Sequence, residues 1–114
     1  KLLQVSRELA LRHYQEHQGK PFFDGLVGFI TSGPVVAMAV AGESAVELVR
    51  RTIGATSPLD SDMGTIRGDL AVDIGRNLIH GSDSPETASR EINLFFNPSE
   101  IQEYQRNTDL WINE

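Results

Sequence analysis

The spacing of apolar and polar residues predicts a chain in which helices alternate with short strands. Ser6 is a typical N-cap residue and Pro21 suits the first turn of a helix, so both mark helix starts. Ser44 and Glu47 have the spacing of a capping box, which predicts a third helix start. In the first half of the chain the pattern predicts a strand over residues 1–5, helices over 7–18 and 22–31, a strand over 35–41 and a helix over 45–53.

The second half opens with a long segment that lacks this periodicity. Residues 54–77 contain Pro58, several glycines and aspartates and no extended apolar pattern, which predicts a loop. Loops of this length inside a compact domain are usually functional. Ser84 and Pro85 then give a cap-plus-proline helix start. After the loop the pattern predicts a short strand over residues 78–80, a helix over 85–95, a short helix over 98–104 and an irregular tail over 109–114.

The order of elements predicts a single α+β or α/β domain over residues 1–114, with helices covering a small sheet. The formal net charge of −6 argues against non-specific nucleic-acid binding, which needs a positive surface. The chain has no cysteine, which excludes disulfides, thiolate catalysis and a cysteine-ligated metal site. No apolar run approaches the roughly 20 residues of a membrane span, and no signal peptide is visible. A cytoplasmic location is therefore predicted.

The most informative segment joins residues 78–80 to the helix that follows. His80 ends an apolar stretch, and Gly81, Ser82 and a capped helix come immediately after it. Backbone N–H groups at a helix start favour an anion nearby, so His80 is a candidate base, metal ligand or nucleophile. The alternative is a structural histidine that is hydrogen-bonded to the backbone at a strand end.

Glu91 is a candidate partner for that histidine. It lies on the predicted helix over 85–95, beside the apolar face that carries Ala88, Ile92 and Phe95. An unpaired carboxylate is costly to bury, whereas the N–H of an imidazole ring is a suitable partner whose tautomer the carboxylate would fix. The alternative is a carboxylate at the helix edge that reaches solvent.

Arginines near the long loop are candidates for holding phosphate, because a guanidinium group matches phosphate oxygens. They are Arg50, Arg67 and Arg76, to which Thr56 can add a hydroxyl group. The alternative for each arginine alone is pairing with one of the many acidic residues. The chain has no Walker-type loop and no GxGxxG after a strand, so a nucleotide site would need another design.

Histidines and aromatic residues near the N-terminus give weaker signals. His13 and His17 have the i, i+4 spacing that can grip a metal ion, but no acidic third ligand is evident, so a solvated helix face is predicted. Tyr14 and Phe22 are aromatic residues that can stack on a base, although core packing is the more common fate of such side chains.

These motifs together resemble those of nucleoside diphosphate kinases, over what corresponds to the C-terminal three-quarters of the family. The strongest match is residues 77–83, Asn-Leu-Ile-His-Gly-Ser-Asp, which resemble the signature around the family's phosphorylated histidine. Supporting matches are His13-Tyr14, Pro21-Phe22-Phe23 and the segments over residues 32–38, 64–69 and 110–112. So many matches in one order make chance an inadequate explanation.

The resemblance implies an enzyme that moves the terminal phosphate of a nucleoside triphosphate to a nucleoside diphosphate, with Mg²⁺, through a phosphohistidine in a ping-pong scheme. His80 would be the nucleophile, Glu91 would orient it, and Ser82 would be linked to that carboxylate. Tyr14 would lie beside the reacting phosphate. The implied nucleotide-binding residues are Arg50, Thr56 and Arg67 for the phosphates, Asn77 for the ribose, and Phe22 with Ile74 for the base.

The resemblance also implies a ferredoxin-like sandwich, in which helices cover a small antiparallel sheet, with the first strand and helix absent from this chain. It implies assembly as a hexamer or tetramer, and no membrane or specific nucleic-acid partner. Two other hypotheses stay open. One is a truncated, inactive module that binds nucleotides or other subunits, and the other is an unrelated histidine-dependent phosphohydrolase.

Overall fold

The computed structural model describes residues 1–112 and 114, which form an α+β structure, as the sequence predicted. Its strands and helices are β1 (Leu2–Gln4), α1 (Arg7–His13), α2 (Phe23–Ile30), β2 (Pro34–Val36), α3 (Ala45–Ile53), α4 (Ile66–Leu70), α5 (Pro85–Phe95) and α6 (Asp109–Ile112). Short 3₁₀ turns lie at Gln15–His17, Pro58–Asp60, Ile74–Arg76 and Pro98–Glu100. None of the helices in the described residues has both the length and the apolar character needed to cross a membrane.

The sheet of the described residues consists of β1 and β2, which pair antiparallel with Leu3 opposite Val35. The strand predicted over residues 35–41 is shorter, because β2 ends at Val36 and the backbone hydrogen bonds to the first strand end with Ala37, which pairs with Lys1. The strand predicted over residues 78–80 is wrong. Leu78 has a φ angle of 72°, a left-handed conformation that interrupts an extended run.

The core lies where β1, α1 and α2 meet. Val5, Ala10 and Val27 are fully buried there, and Leu9 and Phe95 pack against them. Because Phe95 belongs to α5, the same core fixes α1 against α5. This contact brings the C-terminal end of α1 next to the helix that carries Glu91.

Local capping explains where two helices begin. The Ser6 hydroxyl accepts a hydrogen bond from the N–H of Leu9, and the Ser84 hydroxyl accepts one from Thr87, so both predicted caps are confirmed. The capping box predicted at Ser44 is wrong. Ser44 has a φ of 51° and makes no side-chain capping bond, because a cap needs an extended backbone to place its oxygen over the first turn.

Other helix ends differ from the predicted ones. The helix predicted over residues 7–18 ends at His13, and a 3₁₀ turn follows the non-helical Tyr14. The helix predicted over residues 98–104 is a single 3₁₀ turn that ends at Glu100. The tail predicted to be irregular over residues 109–114 forms α6 over Asp109–Ile112, and residue 113 lies outside the described residues. The start of α6 is stabilised by hydrogen bonds from Arg106 to the Asp109 carboxylate.

The long loop contains a helix of its own. The Thr65 side chain caps α4 by accepting a hydrogen bond from the N–H of Gly68. A side chain at Gly68 would collide with the backbone of Asp62, so glycine is required at this close approach. The loop over residues 54–77 is thus compact, and its two ends converge near His80.

Candidate active site

His80 follows the long loop and precedes α5, and its side chain is 55% exposed. Its Nε2 atom lies 2.8 Å from Oε2 of Glu91. The contact predicted between these two residues is therefore present. Gly81 comes next, and a side chain there would lie 2.7 Å from Cδ1 of Ile53, so a small residue lets this segment pack against α3.

Glu91 lies on the inner face of α5 and is buried. Its Oε2 atom also accepts a hydrogen bond of 2.7 Å from the Ser82 hydroxyl. Burial alone would raise the pKa of Glu91, but the hydrogen bonds from His80 and Ser82 outweigh burial and lower the pKa to about 2. Glu91 is therefore an ionised carboxylate at neutral pH.

The ionised carboxylate determines which nitrogen of His80 carries the proton. An ionised carboxylate can only accept hydrogen bonds, so Nε2 must be the protonated nitrogen of the neutral ring. The lone pair of the neutral ring is then on Nδ1. A half-exposed ring with a fixed tautomer can act as a nucleophile through Nδ1.

His13 is the residue that the sequence interpretation misplaced. It was predicted on a solvated helix face, but it is only 6% exposed and lies at the end of α1. Its ring centroid is 5.0 Å from that of His80, with the rings perpendicular. The spacing in the sequence does indicate that His13 is buried. His13 follows Leu9 by four residues and Ala10 by three, which places it on the apolar face of the helix.

Tyr14 is half-buried immediately after α1. Its ring centroid lies 4.6 Å from that of His13. Burial, and then the negative charge of Glu91, raise the pKa of Tyr14. The structure thus places Tyr14 at the edge of the histidine cluster.

Arg50 and Arg67 supply positive charge near His80 that no carboxylate of the described residues neutralises. Among the described residues, neither arginine takes part in a salt bridge, so pairing with acidic residues is wrong for both. Arg50 donates a hydrogen bond of 3.2 Å to the carbonyl of Gly81, directly after His80. Burial, and then the nearby charge of Arg50, lower the pKa of Arg67. This pair therefore suits an anionic ligand.

The guanidinium group of Arg67 is buried and bonded to the backbone at both ends of the long loop. Nε donates to the carbonyl of Asn77, and the terminal nitrogens donate to those of Gly54, Ala55 and Ile79. Arg67 therefore fixes the backbone immediately before His80.

The other candidate nucleotide-binding residues surround the loop. The Asn77 amide donates a hydrogen bond of 3.0 Å to the carbonyl of Thr56, whose side chain is exposed. Phe22 is 51% exposed and Ile74 is 62% exposed. Arg76, another phosphate candidate, lies over the ring of Phe29 at 4.0 Å from the centroid. That contact holds the turn bearing Ile74 against the C-terminal part of α2.

One cluster of the described residues has metal-ligand character. His13, His80 and Glu91 each offer a ligand atom, and these atoms lie within 4.8 Å of one another. Two nitrogens and one carboxylate do not fit Mg²⁺, which prefers oxygen ligands in octahedral geometry. The residues present therefore do not form a resident magnesium site.

Phosphoryl transfer requires a nucleophile with a free lone pair and positive charge around the transferred group. The described residues place His80 beside Arg50 and Arg67, which meets both requirements. The fold and this geometry therefore indicate a phosphotransferase as the class of protein.

Comparison with known proteins identifies the family. A family model described as nucleoside diphosphate kinase matches residues 1–101, and the chain belongs to this family. The nucleoside diphosphate kinase of Carboxydothermus hydrogenoformans is 58% identical over 114 residues, which cover 100% of this chain and 76% of that protein. That of Listeria monocytogenes serotype 4b (strain CLIP80459) is 60% identical over 112 residues, which cover 98% of this chain and 76% of that protein.

A solved structure of a halophilic nucleoside diphosphate kinase from Halobacterium salinarum, in complex with CDP, is also similar. It has a TM-score of 0.96 and 50% sequence identity, covering 100% of this chain and 76% of that one. The ferredoxin-like α+β fold is therefore confirmed. The protein is a nucleoside diphosphate kinase, an enzyme that transfers phosphate between nucleotides.

Proposed function

We propose that this enzyme carries the transferred phosphate on His80, in a ping-pong scheme between a nucleoside triphosphate and a nucleoside diphosphate. The observation that carries the proposal is the 2.8 Å contact between Nε2 of His80 and Oε2 of Glu91. That contact fixes the proton on Nε2 and leaves the Nδ1 lone pair available for attack.

In the first half-reaction Nδ1 of His80 attacks the γ-phosphorus of the triphosphate. The N–P bond forms while the bond between the γ-phosphorus and the bridging oxygen breaks, and the nucleoside diphosphate leaves with that oxygen. The ring gains positive charge in this step, which the ionised Glu91 offsets. Ser82 holds the carboxylate in place. A second nucleoside diphosphate then attacks the phosphorus and restores His80.

The nucleotide lies between the long loop and α2 in this proposal. Arg50, Thr56 and Arg67 hold the phosphates, and Tyr14 lies beside the reacting phosphate. Asn77 binds the ribose, and Phe22 and Ile74 contact the two faces of the base. Within residues 1–112 and 114, neither Arg50 nor Arg67 forms a salt bridge, which supports the phosphate roles. The exposure of Phe22 and Ile74 supports stacking, which tolerates different bases.

Mg²⁺ enters the reaction as part of the substrate in this proposal, bound to the nucleotide phosphates. The His13, His80 and Glu91 cluster does not suit this ion, whereas phosphate oxygens do. The ion would offset charge on the transferred group, together with Arg50 and Arg67.

Residues 1–114 belong to one nucleoside diphosphate kinase-like domain in this proposal, and the enzyme is a cytoplasmic hexamer or tetramer. Large apolar side chains of the long loop support the assembly. Leu59, Met63 and Val72 are all highly exposed, and a second subunit would cover large apolar side chains of this kind. No nucleic-acid or membrane partner is proposed.

The test is incubation with Mg²⁺ and ATP labelled at the γ-phosphate, followed by a chase with an unlabelled nucleoside diphosphate. We expect an acid-labile label on His80 that the chase transfers to nucleoside triphosphate. His80→Ala should take up no label, whereas His17→Ala is the matched control and should label normally. Release of inorganic phosphate without an acceptor would support a phosphohydrolase instead. Nucleotide binding without label would support an inactive module.

A further inference from the structure

The two oxygens of the Glu91 carboxylate have different surroundings. Oε2 accepts hydrogen bonds from both His80 and Ser82. Oε1 has two cationic or donor groups at longer range: Nδ1 of His13 at 4.0 Å and a terminal nitrogen of Arg90 at 3.8 Å. Arg90 is shared with Glu16, 3.9 Å away. Oε1 is therefore the less firmly held oxygen.

His13 is placed to hold that oxygen. Its Nδ1 atom is buried and has no hydrogen-bond partner within the part of the chain that the structure describes. A buried polar atom without a partner is costly. The 4.0 Å gap to Oε1 is about 1 Å longer than a hydrogen bond, so a small shift of the carboxylate closes it.

We propose that His13 is a positioning residue for phosphoryl transfer, whose Nδ1–H donates a hydrogen bond to Oε1 of Glu91 and so holds this carboxylate between two histidines. The inference rests on the proposed role of His80 as the phosphate carrier. With both oxygens held, Oε2 stays directed at Nε2 of His80 and keeps the Nδ1 lone pair free for attack.

The surroundings of His13 make it a neutral donor. Burial lowers its pKa to about 4, with contributions from His80, Arg90 and His17 in the same direction and an opposing contribution from Glu91. A neutral ring orients the carboxylate without cancelling its charge. That charge stays available to His80 when its ring becomes cationic.

The ring of His13 packs against the rings of Phe95 and Tyr14, which restrict its orientation. The ring of Phe95 is perpendicular to it at 5.2 Å, and that of Tyr14 is tilted at 4.6 Å. The contact with Phe95 anchors the ring against α5, the helix that carries Glu91. The contacts also make His13→Phe a reasonable substitution for packing, because an aromatic ring of similar size replaces the imidazole.

The test compares His13→Phe, which removes the donor, with His13→Asn, whose amide nitrogen can replace Nδ1. The tautomer of His80 is measured by ¹H–¹⁵N NMR of ¹⁵N-histidine-labelled protein, beside the rate of label uptake from Mg-ATP. We expect His80 to be the Nε2–H tautomer in the unsubstituted enzyme and a mixture in His13→Phe. We expect uptake by His13→Phe to fall roughly tenfold, with recovery in His13→Asn.

The outcomes are distinct. The inference would be overturned if His80 stayed in the single Nε2–H tautomer in His13→Phe. An equal loss of label uptake in His13→Phe and His13→Asn, with the His80 tautomer unchanged in both, would also overturn it, because it would show that His13 acts through packing alone. The tautomer measurement needs no turnover. If the unsubstituted enzyme takes up no label, the proposed function fails, while the NMR comparison still decides the role of His13.

Discussion

The two sides of the candidate site differ in how firmly the fold holds them. On the histidine side, which consists of His13, His80, Ser82 and Glu91, a buried carboxylate is bonded at 2.7 and 2.8 Å and anchored on α5. On the nucleotide side, Arg67 and Asn77 are bonded to the loop backbone, but the other proposed contacts are exposed and have few partners: Phe22, Arg50, Thr56 and Ile74.

The difference follows from what each side must do. A nucleophile must keep one tautomer and one direction, and small misplacements are costly in rate. A base held by stacking makes weaker geometric demands, because every base has a flat apolar face. We therefore expect substitutions on the histidine side to reduce turnover, and those on the nucleotide side to weaken binding.

The largest effect is expected from the histidine side. His80→Ala removes the proposed nucleophile, so kcat should fall by at least about 10⁴-fold. The ring is half-exposed, so circular dichroism and the unfolding temperature should change little. Steady-state transfer from ATP to a second nucleoside diphosphate measures the loss. Substantial turnover in this variant would contradict the assignment of His80.

Glu91→Ala should lower kcat by about 100-fold without abolishing it, because the nucleophile remains while its tautomer is no longer fixed. Glu86→Ala is the matched control, since Glu86 is an exposed acid in the first turn of the same helix. Coupled-assay kinetics on both variants measure the effect. Equal rates in the two variants would show that the buried carboxylate has no part in transfer.

On the nucleotide side, Phe22→Ala should raise KM about tenfold and leave kcat nearly unchanged, because stacking on a base contributes similarly to the ground state and the transition state. The rise should be of similar size for purine and pyrimidine nucleotides. Kinetics with four triphosphates test this. A fall in kcat at constant KM would remove the distinction between the two sides.

The smallest expected effect is on how the stability of the folded chain depends on pH. The pKa of His13 is lowered to about 4, so between its usual value and pH 4 the unfolded chain binds a proton that the folded chain does not. Stability should therefore fall as the pH decreases from about 6.5 to 4. Protonation of Glu91, whose pKa is lowered to about 2, continues the loss below about pH 4.5.

Thermal unfolding at a series of pH values measures this dependence. In His13→Asn, stability should no longer fall between about pH 6.5 and 4, whereas the fall at lower pH should remain. An unchanged profile in His13→Asn would mean that the histidine is not held neutral by the fold. Thr56→Ala, on the nucleotide side, should leave the profile unaltered.

Features with local causes could be predicted from the sequence. Ser6 and Ser84 cap their helices because a cap needs only its own helix's first turn. The contact between His80 and Glu91 was also predictable, because a carboxylate beside an apolar helix face needs a partner. The family motifs supplied the rest of the candidate site residues.

Features that depend on distant parts of the chain were missed. Residues 78–80 have strand composition, but a strand also needs a neighbour, and Leu78 adopts a left-handed backbone instead. The burial of His13 depends on α5, which lies far along the sequence. The carbonyl partners of Arg67 likewise come from both ends of a loop, and no residue pattern encodes them.

The bonds of Arg67 have a consequence for the order in which the site forms. Each bond closes a segment of 10 to 13 residues, so one side chain divides the long loop into two closed loops of similar length. Closing both loops costs conformational entropy, and the hydrogen bonds that one guanidinium group donates to backbone carbonyls offset this cost for both loops together. The two halves of the loop therefore order cooperatively. The chain segment that carries the histidine becomes fixed in the same event that forms the phosphate side.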